Sequence, residues 1–189
     1  MMSEALIRMW NKFREYLKPQ IWVKKEMPYT TRRVEIDETT FYLARASQND
    51  ITALLDIERS VYAGQTPWDR WAFTSELSKR KTSLYLVLCQ GTEVVAFVGA
   101  WFSTNEAHIT NIAVRPSYQK RGIGHFLVHE MVSLAHDYPS QKITLEVRAS
   151  NTSAQAVYQR LGFTVVRTRP NYYIQEKEDA FSMCRILSQ

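Results

Sequence analysis

One stretch constrains the fold more than any other. The β-rich run Ala107–Val114 stops at Pro116, and a tight basic turn, Gln119–Gly124, leads directly into an apolar-periodic helix that runs through Leu134. A helix start exposes backbone N–H groups with no partner one turn back, at the positive end of the helix dipole. Gly122 and Gly124 remove Cβ atoms there, so the main chain can approach an anion closely. Lys120 and Arg121 add positive charge. The physics of this strand–turn–helix points to a phosphate or diphosphate, and a basic surface turn is the plainer alternative for an isolated Gly-x-Gly. The turn is not a Walker loop, because Gly-x-x-x-x-Gly-Lys-Ser/Thr does not occur. It is not a dinucleotide fingerprint either, because Leu127 stands where a third glycine belongs.

The flanking pattern places this unit in a mixed sheet. Phe41–Ala46 alternates weakly and reads as a strand. Asn49-Asp50 caps a helix carrying Ile51, Leu54, Leu55, Ile57 and Glu58. Thr66-Pro67 opens a second short helix with Pro in its first turn. Leu84–Cys89 and Val94–Phe102 are two β-rich runs joined by Gln90–Glu93 as a hairpin. Lys142–Val147 is a further strand, Asn151 or Thr152 caps a helix to Leu161 stopped by Gly162, and Thr164–Arg167 and Ala180–Leu187 close the chain. Hairpins followed by a βαβα stretch predict an α/β (α+β) domain with six or seven strands and helices on both faces. Residues 41–189 form that domain. Residues 1–40 read as an appendage: Leu6, Trp10, Phe13 and Leu17 recur at helical spacing, and the stretch from 20 to 40 has little periodicity and reads as a linker. The helix could pack on its own domain or a second copy, dock on a larger partner, or lie on a membrane surface.

Composition bounds the rest. With 189 residues the chain buries a core without staples. The longest apolar run, Val94–Phe102, is far short of the ~20 residues of a membrane helix. Arg8 interrupts Leu6–Trp10, so no cleavable signal is read and a cytoplasmic setting is expected, with Cys89 and Cys184 as buried thiols. A net charge of +5 suits a phosphate-bearing partner or plain solubility, and is too small for a nucleic-acid signature. His125 and His129 are four apart, but His-Glu-x-x-His is absent and no third ligand is placed, so no metal is expected. His108, on its strand, reads as structural. No Gly-x-Ser-x-Gly elbow supports serine hydrolysis.

Gln119-Lys-Arg-Gly-Ile-Gly124 resembles the Gln/Arg-x-x-Gly-x-Gly/Ala signature of GNAT-type N-acetyltransferases, which hold the diphosphate of acetyl-CoA. Leu145–Phe163 resembles a second block of that family, and specifically its RimI branch, the ribosomal-protein alanine N-acetyltransferases. Asn171-Tyr-Tyr173 and Glu178-Asp-Ala180 are similar to the same branch. The resemblance spans about residues 41–187. It implies a GNAT fold whose two central parallel strands splay. It implies acetyl-CoA as co-substrate, direct transfer without an acylated side chain, and a protein N-terminal α-amino group of the ribosomal S18 type as acceptor. It places Gln119, Lys120, Arg121, Gly122, Ile123, Gly124 and His125 around the diphosphate. It puts the backbone of Ile112, Ala113 and Val114 along the acetyl and pantetheine groups, and Asn151 against the pantetheine arm. Trp68, in Thr66–Trp71, together with Tyr172 and Tyr173, would flank the acceptor; Trp68 could equally serve an ordinary helix cap.

Two residues carry the expected chemistry. In Ile143–Val147 the apolar side chains alternate onto one face and Glu146 points to the other. Such a carboxylate is either a solvent-facing strand residue or a proton acceptor raised by partial desolvation. The resembling branch has its base at the matching Glu. Tyr158 follows on the next helix, with the spacing of a core tyrosine, and the resemblance assigns it the proton delivered to the leaving thiolate. Two other readings stay open: the same transfer to a small-molecule amine or lysine side chain, and a non-catalytic basic module that binds ribosome or RNA. The protein is expected to be a monomer or weak dimer that binds no membrane.

Overall fold

The computed structural model describes residues 27–187 except 63, 65, 139 and 175. The helix expected around Leu6–Leu17 lies outside the described residues. Eight strands form one sheet in the order β1-β2-β3-β4-β5-β6-β8-β7: β1 Arg32–Ile36, β2 Thr39–Arg45, β3 Ser83–Gln90, β4 Glu93–Phe102, β5 Ala107–Val114, β6 Lys142–Arg148, β7 Thr164–Tyr173 and β8 Glu178–Ile186. Among the described residues four α-helices accompany it: α1 Ile51–Val61, α2 Arg70–Ser78, α3 Ile123–Asp137 and α4 Thr152–Arg160. Neighbouring strands are antiparallel except β5 and β6.

The sheet has one strand more than the upper count expected, and the extra one falls in the stretch read as a linker. β1 pairs with β2 through a turn at Asp37-Glu38, both at positive φ. That is the two-residue geometry whose twist suits a hairpin. Neither residue is the glycine that usually marks such a turn, and β1 offers only Val34 and Ile36 as inward positions. The sheet therefore begins before residue 41, at Arg32.

β3 and β4 are buried on both faces, so their apolar runs are nearly continuous. Leu84, Leu86 and Leu88 face a core built with Ile123, Leu127, Val128 and Met131 of α3. Tyr85 and Val87 face the opposite core with Leu54 and Ile57 of α1 and Phe73 of α2. A 3₁₀ turn at Gln48–Asp50 leads into α1 and carries a capping box on Ser47 rather than a cap on Asn49-Asp50: Ser47 Oγ accepts from the Asn49 amide and Asp50 accepts from the Ser47 amide. The second helix begins at Asp69 rather than Thr66-Pro67, because the Asp69 carboxylate accepts the Ala72 N–H at 2.8 Å. Cys89 and Cys184 are free thiols, partly rather than fully buried.

A bulge decides the shape of the centre. The β4–β5 register shifts at Gly99/Ala100, leaving Thr110 as the extra residue. Its Oγ1 donates to the Gly99 carbonyl at 3.1 Å and lies 2.9 Å from the Tyr85 hydroxyl. A Cβ on Gly99 would stand 2.2 Å from the Tyr85 ring, which is itself fully buried. Gly99→Ala is therefore expected to destabilise the protein by about 1–3 kcal/mol through overpacking. A urea midpoint equal to that of the wild type would show that the ring can yield.

Candidate functional site

Beyond the bulge, β5 and β6 part. They pair only through Ala107–Ile109 against Ile143–Leu145. Past those residues Ile112, Ala113 and Val114 remain paired to β4 on one side, and on the other their main chain borders a seam opposite Glu146–Arg148. Alternate residues of an antiparallel strand direct N–H and C=O away from their partner. The opened edge is thus a row of hydrogen-bonding groups suited to an extended, amide-bearing ligand.

The seam runs toward the start of α3. Lys120 and Gly122 both take positive φ, turning the chain so that the amides of the first helical turn face outward. A Cβ at Gly124 would meet nothing within 4 Å, so the approach there is open. Gln119 donates to the Val114 carbonyl at 2.9 Å and closes the loop onto the end of β5. The Arg121 guanidinium is docked on the first hairpin, donating to Thr39 Oγ1 at 2.6 Å with Asp37 at 3.4 Å. Its side-chain charge is thereby partly committed, while its amide stays with the loop. His125 stacks with His129, ring centroids 6.5 Å apart. Among the described residues no group of three His, Cys, Asp or Glu could hold a metal ion.

Glu146 stands on β6 at the mouth of the seam, its side chain 6% exposed. Parity explains its direction: Ile143, Leu145 and Val147 enter the α3 core, so Thr144, Glu146 and Arg148 take the α1–α2 face. Ser182 of β8 donates to Glu146 Oε1 at 3.2 Å, and Arg169 Nε lies 3.5 Å from the same oxygen. His108 Nε2 lies 3.2 Å from Oε2, with the His108 ring buried and stacked on Trp101. The sequence reading gave His108 a structural part; the pairing of β5 with β6 brings it to the carboxylate. No local pattern marks this, because the contact depends on register between strands far apart in the chain.

Tyr158 lies on the other side of the sheet, in the α3 core beside Phe163. Burial pushes its phenol well above the ordinary range, and Tyr62 adds to this. Among the described residues its hydroxyl has no hydrogen-bond partner. Asn151 Oδ1 accepts the Ala154 N–H at 3.1 Å and caps α4, so only its amide group is left for other work. Tyr172 and Tyr173 form an edge-to-face pair at 5.2 Å. Arg148 lies 3.9 Å from the centre of the Tyr173 ring and Arg169 lies over Tyr172. Asp179 accepts the Asn171 N–H at 2.8 Å, and Glu178 pairs with Arg148 at 2.9 Å. The two short motifs at 171–173 and 178–180 are therefore one structure, which brings Tyr173 within electrostatic reach of Glu146.

Trp68 is buried against Phe73 and Tyr85. Its backbone N–H is accepted by Glu58 at 3.0 Å. Glu58 was singled out in the sequence only as part of a helix. It is 2% exposed, and burial lifts its carboxyl to about 8. Asn111 of β5 lies against it, with an amide group that is buried and makes no well-formed hydrogen bond among the described residues. The loop before α2 is thereby anchored next to the seam.

A sequence model described as the Acetyltransferase (GNAT) family matches residues 49–163. A Bacillus subtilis protein named "Putative [ribosomal protein bS18]-alanine N-acetyltransferase" is 34% identical over 134 residues, covering 71% of this chain and 87% of that one. The Escherichia coli K12 protein named "[Ribosomal protein bS18]-alanine N-acetyltransferase" is 34% identical over 141 residues, 74% of this chain and 93% of that one. The crystal structure of the Escherichia coli ribosomal-protein-S18-alanine N-acetyltransferase superposes with a TM-score of 0.71 at 32% identity, covering 79% of this chain and 95% of that chain.

Proposed function

Because the chain belongs to the GNAT acetyltransferase family, we propose that it transfers the acetyl group of acetyl-CoA to the N-terminal α-amino group of a ribosomal protein, one of the bS18 type beginning with alanine. The observation that carries this reading is the placement of Glu146 on β6 at the mouth of the opened β5–β6 seam, across from the β5 edge that leads to the basic turn at Gln119–Gly124. The similarity to two bS18-alanine N-acetyltransferases supports the acceptor.

The residues fit the donor. The outward amides of Gly122–His125, with Lys120, suit the diphosphate. The free edge of Ile112–Val114 suits the amides of the pantetheine arm, and the Asn151 amide can add a hydrogen bond. When bound, acetyl-CoA supplies the activated acyl group and a thiolate leaving group. Backbone N–H groups of the β5 edge would stabilise the developing oxyanion. Glu146 takes the proton of the incoming amine, which at neutral pH is substantially an ammonium. Tyr158 returns a proton to the departing thiolate; its burial keeps the phenol protonated until that charge develops. Tyr172, Tyr173 and the Trp68 loop bound the acceptor side, where Arg148 and Arg169 hold the two tyrosines in place.

The test is to incubate the protein with acetyl-CoA and peptides that differ in their first residue, with lysine-bearing peptides and polyamines in parallel. Mass spectrometry should find one acetyl group on the α-nitrogen of peptides starting with Ala. Acetylation confined to side-chain or small-molecule amines would overturn the acceptor. Tyr158→Phe is expected to lower kcat by roughly 10²-fold while the affinity for acetyl-CoA, read by calorimetry, stays within about twofold. An unchanged kcat would remove Tyr158 from the proton transfer.

A further inference from the structure

A buried polar chain continues beyond Glu146, away from the seam. His108 Nδ1 lies 2.7 Å from Thr144 Oγ1, its register neighbour across the parallel pairing. Thr144 Oγ1 donates in turn to Glu106 Oε1, and Glu106 Oε2 lies 3.3 Å from the Lys142 ammonium. Glu106 and His108 are each 2% exposed. The chain thus runs Lys142, Glu106, Thr144, His108, Glu146 through the closed end of the sheet.

Donor counting fixes its polarity. A carboxylate facing an ammonium can only accept, and a threonine hydroxyl has a single hydrogen. With that hydrogen on Glu106, Thr144 must accept from His108, so the imidazole carries its hydrogen on Nδ1. Nε2 then presents a lone pair to Glu146 Oε2. Two acceptors 3.2 Å apart then face each other with no hydrogen of their own between them, an arrangement that an incoming proton relieves.

We propose that Glu106, acting through Thr144, sets the tautomer of His108 so that His108 and Glu146 take up the amine proton as a pair. Glu106 and Thr144 are positioning residues in this scheme; the inference rests on the reading of Glu146 as the base. The step balances simply. The ammonium N–H bond breaks and its electron pair stays on nitrogen. The proton forms an O–H bond to Glu146 and is shared with His108 Nε2. The imidazolium that results donates from both nitrogens, to Glu146 and to Thr144, and the proton passes to solvent when product leaves. Without the Thr144 hydroxyl, His108 would turn its hydrogen toward Glu146, donate to the carboxylate and weaken it as a base. The pair is surrounded by Trp101 from β4, Arg169 and Tyr173 from β7 and Ser182 from β8, whose charges and dipoles the substitutions below leave in place.

The experiment has two readouts. In protein labelled with 15N-histidine, the ring nitrogens of His108 are assigned by the signal lost in His108→Asn and followed against pH without substrates. Above neutral pH the wild type and Thr144→Ser should show hydrogen on Nδ1, and Thr144→Val should show it on Nε2. In the rate assay, the acidic limb of kcat/KM should move about 1–2 pH units lower in Thr144→Val. Thr144→Ser should restore it, and Glu106→Gln should move it in the same direction by less. A wild-type His108 with hydrogen on Nε2 would overturn the proposal even if Thr144→Val fails to fold. A Thr144→Val profile reduced in height but unmoved along the pH axis would also overturn it, reducing Thr144 to packing. The resonances require no acceptor, so they decide the tautomer even if α-amino transfer proves to be the wrong activity.

Discussion

Glu146→Gln is expected to lower kcat/KM for N-terminal transfer by roughly 10²–10⁴-fold, the range removed with a positioned general base. The substitution keeps the shape of the side chain, and its amide oxygen can still accept from Ser182, which donates to Glu146 at 3.2 Å. In the proposed function acetyl-CoA is held by the amides around Gly122–His125 and by the β5 edge, so its affinity should be unaffected. Initial rates with an Ala-first peptide, measured beside calorimetric titration of acetyl-CoA, separate the two effects. The loss should also be greater at neutral pH than at pH 9, where the acceptor amine has already shed its proton and needs the base less. A Glu146→Gln enzyme with wild-type kcat/KM at pH 7 would remove Glu146 from the mechanism and leave water alone to collect the proton.

The second large effect concerns stability. Glu58 is buried on α1, and burial raises its carboxyl from 4.5 to about 8. The folded state then binds its proton more tightly than the unfolded chain does. The sign follows from linkage: this contribution is fully present below pH 4.5, declines as pH rises toward about 8, and is gone above it. Glu58→Gln has no charge to bury and keeps an oxygen to accept the Trp68 N–H. The variant should therefore gain on the wild type as pH rises, by on the order of 4 kcal/mol at pH 9. Urea denaturation at pH 5, 7 and 9 measures the difference. Two curves that stay parallel across that range would show that Glu58 is already charged in the folded protein at pH 5. Because Glu58 also anchors the Trp68 loop, which the proposed function places on the acceptor side, a loosened loop at high pH should appear as a rise in KM for peptide in the wild type and not in the variant.

Much of the site was legible in the chain itself. The turn Gln119–Gly124 announces an anion through its glycines and its position between a strand and a helix. Glu146 stands out as the lone carboxylate in an alternating strand. The hairpin β3–β4 follows from two β-rich runs around Gly91. These are local properties: they depend on residue type and on the periods of strand and helix, so neighbours in sequence suffice to read them.

Other features needed the fold. β1 escaped notice because five residues with two inward positions carry little periodicity, and because its turn uses Asp37 and Glu38 in a conformation that glycine normally marks. The partner of Glu146 escaped for a different reason. Glu106, His108 and Thr144 look like unrelated strand residues until the parallel register places His108 opposite Thr144. The same holds for Glu58, whose burial comes from α1 packing on the sheet beside Trp68 and Asn111.

Sequence alone determined most of the strands and helices, the glycine-marked turn of the main chain at Gln119–Gly124 and the face of β6 that carries Glu146, since each is set by steric and hydrophobic preferences acting over a few residues. Tertiary structure alone decided how far β5 and β6 stay paired, which side chains surround Glu146 and which carboxyl is deprived of water. Those depend on strand register and on the clash avoided between Gly99 and Tyr85, distances that exist only once segments remote in the chain are packed together.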